Sequence, residues 1–115
     1  MINLYLGIIL LTVLTKKMIE HIVLFKWKED TPDTAIAEVL KALKELKGKI
    51  PGIIDLSCGE NFSVRAKGFQ HGLVVRFSDR AALEAYTPHP SHQEVVQNLI
   101  KPILEDILSV DYEFQ

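Results

Sequence analysis

Any chemistry this chain performs has to run through a short set of side chains. It has four histidines, and two of them, His89 and His92, flank Pro90 in the stretch YTPHPSHQ at residues 86–93. An imidazole can move a proton near neutrality, and two of them in reach of each other can share a metal. The metal reading is weak. Pro90 breaks the helical register that would bring His89 and His92 together, and no aspartate or cysteine stands nearby, so no metal is expected. The plainest reading is a helix boundary. His89 precedes a proline, a position that disfavours helix, and Ser91 with Glu94 spells a capping box for the helix that follows. Such a cap leaves His92 in the first helical turn, where unpaired N–H groups and the helix dipole disfavour an imidazolium. A histidine held neutral there is suited to act as a base.

Other candidates depend on the elements that carry them. Residues 20–28, EHIVLFKWK, read as a strand whose parity puts His21, Val23, Phe25 and Trp27 on one face. An apolar and aromatic row with one polar group fits a small-molecule pocket, and it fits plain core equally. Tyr86 ends a short amphipathic stretch and reads first as a packing residue with its hydroxyl at the rim. Asp111, between Val110 and Tyr112, is either an edge charge or the partner of something buried.

After the first strand, Ile36, Val39, Leu40, Leu43 and Leu46 recur at helical spacing, and Gly48 and Pro51 close that helix. A second strand follows over residues 52–62 and a third over 69–78. Asp79 can cap a short helix, RAALEAY. A longer helix is expected from Ser91 through Val95, Leu99, Ile103 and Ile107, kinked at Pro102, with a last strand at 109–114. The order is the ferredoxin-like βαββαβ pattern, an α+β fold with an antiparallel four-stranded sheet and helices on one face. Two helical layers cover one face only. Ile22, Leu24 and Val74 would leave the other apolar, so a two-fold homodimer forming a sheet-on-sheet α+β barrel is expected.

Composition narrows the classes. The chain has 115 residues, 48% hydrophobic and 24% charged, with a net charge of −2, so it is one domain with no basic block for nucleic acid. The single cysteine, Cys58, rules out an internal disulfide and suits a reducing, cytoplasmic setting. Residues 2–14 are nearly all apolar, yet as a helix they reach only about 20 Å, short of a hydrocarbon core of about 30 Å. Residues 1–17 are therefore read as an apolar N-terminal extension upstream of a domain at 18–115. A membrane role for that segment is the least favoured reading.

The pieces HIVLFKWK, IPGI, GEN, FQHGLVVRF, AYTPHPSH and DYEF, in this order across about residues 19–114, resemble the stress-responsive A/B-barrel (Dabb) family. The resemblance implies a dimeric α+β barrel. A plant polyketide cyclase in that family, which forms olivetolic acid, closes its substrate by an aldol condensation without a cofactor. Matched residue by residue, it implies His92 as base, Asp111 orienting His92, Tyr86 holding a substrate carbonyl and His21 as a pocket histidine. Leu43 stands where that cyclase has a second pocket tyrosine, and Pro88 replaces an aliphatic, so the polyketide substrate does not carry over. Two functions follow as expectations: a cofactor-independent cyclase or lyase that abstracts a proton next to a carbonyl of a small apolar ligand, or a non-catalytic stress-response or ligand-binding dimer.

Overall fold

A computed structural model describes residues 16–115. Four strands, β1 (Met18–Trp27), β2 (Ile53–Glu60), β3 (His71–Phe77) and β4 (Leu104–Phe114), form one sheet in the order β2-β3-β1-β4. Every neighbouring pair is antiparallel. Among the described residues three α-helices accompany them: α1 (Asp33–Glu45), α2 (Arg80–Tyr86) and α3 (Pro90–Val95). The helices cover one face. Ile19, Val23, Phe25 and Trp27 of β1 and Leu73, Val75 and Phe77 of β3 are buried there against Val39, Leu43 and Leu46 of the α1 region. The alternation in β1 and β3 is the period-two pattern of strands with one covered face.

The expected barrel is corrected by the sheet order. β2 and β4 are its two ends and do not pair, so the sheet stays open. Closure requires every strand to have two hydrogen-bonded neighbours, and four strands cannot curl that far. The uncovered face carries Ile22, Leu24, Val74, Leu108, Val110 and Tyr112, which the register places together. Val74, Leu108, Val110 and Tyr112 are 37–48% exposed. Arg76 ties part of this face together, 2.9 Å from Glu20 and with its guanidinium 4.8 Å from the Phe114 ring centre.

The last helix is shorter than its sequence suggests. α3 passes into a π turn (Val96–Ile100) and a 3₁₀ turn (Lys101–Ile103), and β4 begins at Leu104. Pro102 has no N–H to continue a helix. The Lys28 N–H donates to the Ile103 carbonyl at 2.9 Å and starts the pairing of β4 with β1. Ile107 is thus a strand residue opposite Phe25, although its spacing from Ile103 imitates a helix. The capping box is also replaced. Helix α3 starts at Pro90, and His89 caps it by accepting the Ser91 N–H on Nδ1 at 3.1 Å. Proline suits the first helical position, because the missing N–H would have no partner there. Asp79 caps α2 as its position predicts, accepting the Ala82 N–H at 2.8 Å.

Gly52 fixes where α2 lies. Its φ of +91° is open to glycine, and a Cβ there would stand 2.6 Å from the Ala82 Cβ. The Ser78 N–H closes the same contact on the Gly52 carbonyl at 3.1 Å. The apolar segment at residues 2–14 lies outside the described residues. Among the described residues no helix is long and apolar enough to cross a membrane.

Candidate functional site

Between the helices and the β1–β4 half of the sheet lies a cavity of about 480 Å³. Its size is ordinary for a small-molecule site. Each polar wall is placed by a different element. β1 presents His21 on the helix side, directly opposite Asp111 of β4, and the His21 Nδ1 is hydrogen-bonded to the Asp111 carboxylate. Tyr86, the last residue of α2, lies between Phe77 at 5.0 Å and His21 at 5.9 Å, both edge-on. His92 of α3 lies against Tyr86, with ring centres 4.2 Å apart.

The hydrogen bonds assign the nitrogens. The His92 Nδ1–H donates to the Thr87 carbonyl at 2.9 Å, and the Gln93 amide donates to the same oxygen at 2.7 Å. The neutral ring then carries its lone pair on Nε2. Burial pushes the His92 pKa below the ordinary 6.5, and His21 and His89 nearby push it the same way, while the Thr87 bond opposes them. The helix dipole expected from the sequence is not the leading cause. Burial does the work instead.

Tyr86 is 1% exposed, and burial pushes its phenol pKa far upward, so it stays protonated. Its hydroxyl is the one buried side-chain polar atom among the described residues with no hydrogen-bond partner. Buried hydroxyls normally have one. Covering atoms leave it almost no accessible surface, so a ligand oxygen reaches it only with a small displacement of the rings beside it.

The structure brings His21, Tyr86, His92 and Asp111 to one cavity, with Val23, Phe25 and Leu43 in its wall. It divides the polar partners differently from the family pattern: Asp111 goes to His21, and His92 is oriented by a backbone carbonyl. Trp27 is not in the wall. It stacks on Phe25 at 5.1 Å and donates its indole N–H to His71 Nδ1 at 2.9 Å, one layer further into the core. Sequence reasoning missed Thr87, Gln93, Lys101, Ile107 and Ser109, all of which line the cavity. Ile107 and Ser109 share the parity of Asp111; Ser109 already stood in the expected strand on that face, and a strand begun at Leu104 would have added Ile107. Among the described residues, no three histidine, cysteine, aspartate or glutamate side chains converge as metal ligands.

The family model of the stress responsive A/B barrel domain (Dabb) matches residues 19–114. The chain is 34% identical over 97 residues to a stress-response A/B barrel domain-containing protein of Arabidopsis thaliana, covering 84% of this chain and 36% of that protein. It thus spans little more than a third of that relative. A dimeric protein of unknown function and ferredoxin-like fold from Bacteroides fragilis aligns at 30% identity with a TM-score of 0.70, over 84% of this chain and 96% of the other. A hydroxynitrile lyase from Passiflora edulis shares the fold, with a TM-score of 0.79 at 20% identity over 87% and 95% of the two chains. The open ferredoxin-like sheet and a match along residues 19–114 agree: the chain belongs to the stress responsive A/B barrel domain (Dabb) family.

Proposed function

We propose that the protein is a homodimeric Dabb-domain protein whose cavity binds a small, mostly apolar carbonyl compound and removes a proton beside the carbonyl without a cofactor. The buried, unpartnered Tyr86 hydroxyl next to a neutral His92 carries this reading. The His92 Nε2 lone pair takes the proton from the carbon next to the carbonyl. The C–H electron pair moves onto the carbonyl oxygen as an enolate, and the Tyr86 O–H donates to that oxygen. His21, held by Asp111, closes the polar end of the cavity.

One observation favours the alternative, a ligand-binding dimer without turnover. The orienter of His92 is a neutral carbonyl, which stabilises an imidazolium less than a carboxylate would. Deuterium exchange into a β-keto thioester sized to the cavity, followed by NMR, separates the two. The catalytic reading expects exchange that His92→Ala slows about 10²- to 10⁴-fold. Bound-ligand shifts without exchange above the His92→Ala level favour the binding reading.

Two copies associating through the uncovered sheet face would bury Leu108, Val110 and Tyr112, which is support for the dimer together with the dimeric relative. Val110→Asp should turn a dimer into a monomer in light scattering. A wild-type chain that is monomeric at working concentrations would remove this part of the proposal.

A further inference from the structure

We propose that the cavity takes an amphipathic carboxylate, its anionic head seated on Lys101 and its apolar body running toward Tyr86 and His92. The inference rests on the reading of the cavity as a small-molecule site and adds the class of molecule that enters it.

The polar groups of the wall are mostly satisfied among themselves. Asp111 is taken by His21. The Thr87 carbonyl accepts from both His92 and Gln93, and the Gln93 carbonyl oxygen accepts from Gln97 at 3.3 Å. What remains for a ligand is the Tyr86–His92 pair at one end and Lys101 at the other, with Ser109, whose hydroxyl makes no hydrogen bond among the described residues, also in the wall. Among the described residues Lys101 forms no ion pair, and neither do several other lysines such as Lys41 and Lys44; what sets Lys101 apart is its place in the cavity wall. The acidic residues following it are not in the cavity wall. Glu105 is 3.4 Å from Lys26, and Asp106 accepts the Ile107 N–H at 2.8 Å. With its one carboxylate paired to His21, the cavity offers an unpaired cation and no free anion.

The two ends are far apart. His92 and Lys101 lie at the two ends of an unbroken helical run, about 13 Å apart along its axis at 1.5 Å per residue. The wall between them is apolar, with Val96 and Ile100 from the helical side and Leu104 and Ile107 from β4. Ile107 is 46% exposed, so the apolar groove runs along the edge strand and opens to solvent. A compact ligand would contact one end only. A medium-length acyl chain with a terminal carboxylate matches both the length and the charge.

Decanoate and decan-1-ol differ mainly in the charged head, and calorimetric titration of the full chain with each at low salt tests the seat. Decanoate should bind about two- to fivefold more tightly, as expected for an exposed ion pair, and the preference should fade with added salt. Lys101→Met should equalise the two ligands by weakening decanoate alone, and Lys101→Glu should place decanoate below decan-1-ol. Equal binding by the wild type, no binding of either, or a preference that survives Lys101→Met would overturn the proposal. The two ideas fail separately. Carboxylate preference without proton exchange removes the catalytic reading and keeps the Lys101 seat, and exchange without preference does the reverse.

Discussion

His71 lies on the sheet under the helices and His92 in the helical layer itself, and both are pushed below the ordinary imidazole pKa of 6.5, chiefly by burial. Their hydrogen bonds give them opposite roles. The lone pair of His71 on Nδ1 is consumed by the Trp27 indole N–H at 2.9 Å, and Trp27 is itself stacked on Phe25. His92 gives its proton to the Thr87 carbonyl, which leaves Nε2 unclaimed beside Tyr86. A depressed pKa therefore identifies a ring that is neutral. Which nitrogen the protein has already used decides whether that ring can act on anything else.

The two histidines should differ most in function. His92→Ala should cost the proton exchange about 10²- to 10⁴-fold, while His71→Leu should leave it within a few-fold. Similar losses in the two variants, by the same NMR assay, would erase the distinction. Stability should show the opposite ranking. His71→Leu orphans the buried Trp27 N–H and should destabilise by about 1–3 kcal/mol in urea unfolding, more than His92→Ala does.

Titration should sharpen the contrast. Both rings have lowered folded-state values, so between those values and 6.5 the unfolded chain binds more protons. Stability then rises with pH through that window and is lost as pH falls below 6.5. His71→Gln should flatten part of this slope, and the Trp27 fluorescence change on acidification should vanish with it. In His92→Gln the Trp27 signal should persist. The smallest effect concerns Tyr86→Phe. Removing a buried hydroxyl that has no partner should leave stability unchanged or raise it by up to about 1 kcal/mol, while exchange falls. A large loss of stability would mean that the hydroxyl is paired in solution.

Much of the fold was legible because its signals are local. Period-two alternation placed β1 and β3, helical spacing placed α1, and Asp79 marked the start of α2. The grouping of His21, Tyr86 and His92 around one cavity was legible only through the family pattern, since sequence parity could not separate pocket from core. What misled was periodicity that two structures share. Val95, Leu99, Ile103 and Ile107 are four apart, which suits a helix and also keeps the parity of a strand, so the start of β4 was hidden. Pro102 was the better signal, as a terminator rather than a kink. The cap passed from Ser91 to His89 because Pro90 suits the first helical position, which moves the boundary back by two residues. Asp111 faces His21 through strand register, a relation between distant segments that no local pattern encodes. Barrel closure was inferred from an uncovered apolar face, but exposure says only that something covers the sheet, not that its edges meet.

Gly52 touches nothing in the cavity, yet α2 rests on it. Any side chain at that position would press on Ala82 and lift the helix whose last residue is Tyr86. In a screen for loss of ligand response, substitutions at residue 52 should therefore score with those of the cavity wall. The mutational footprint of the site extends to the opposite end of α2, where a search for ligand contacts would never look.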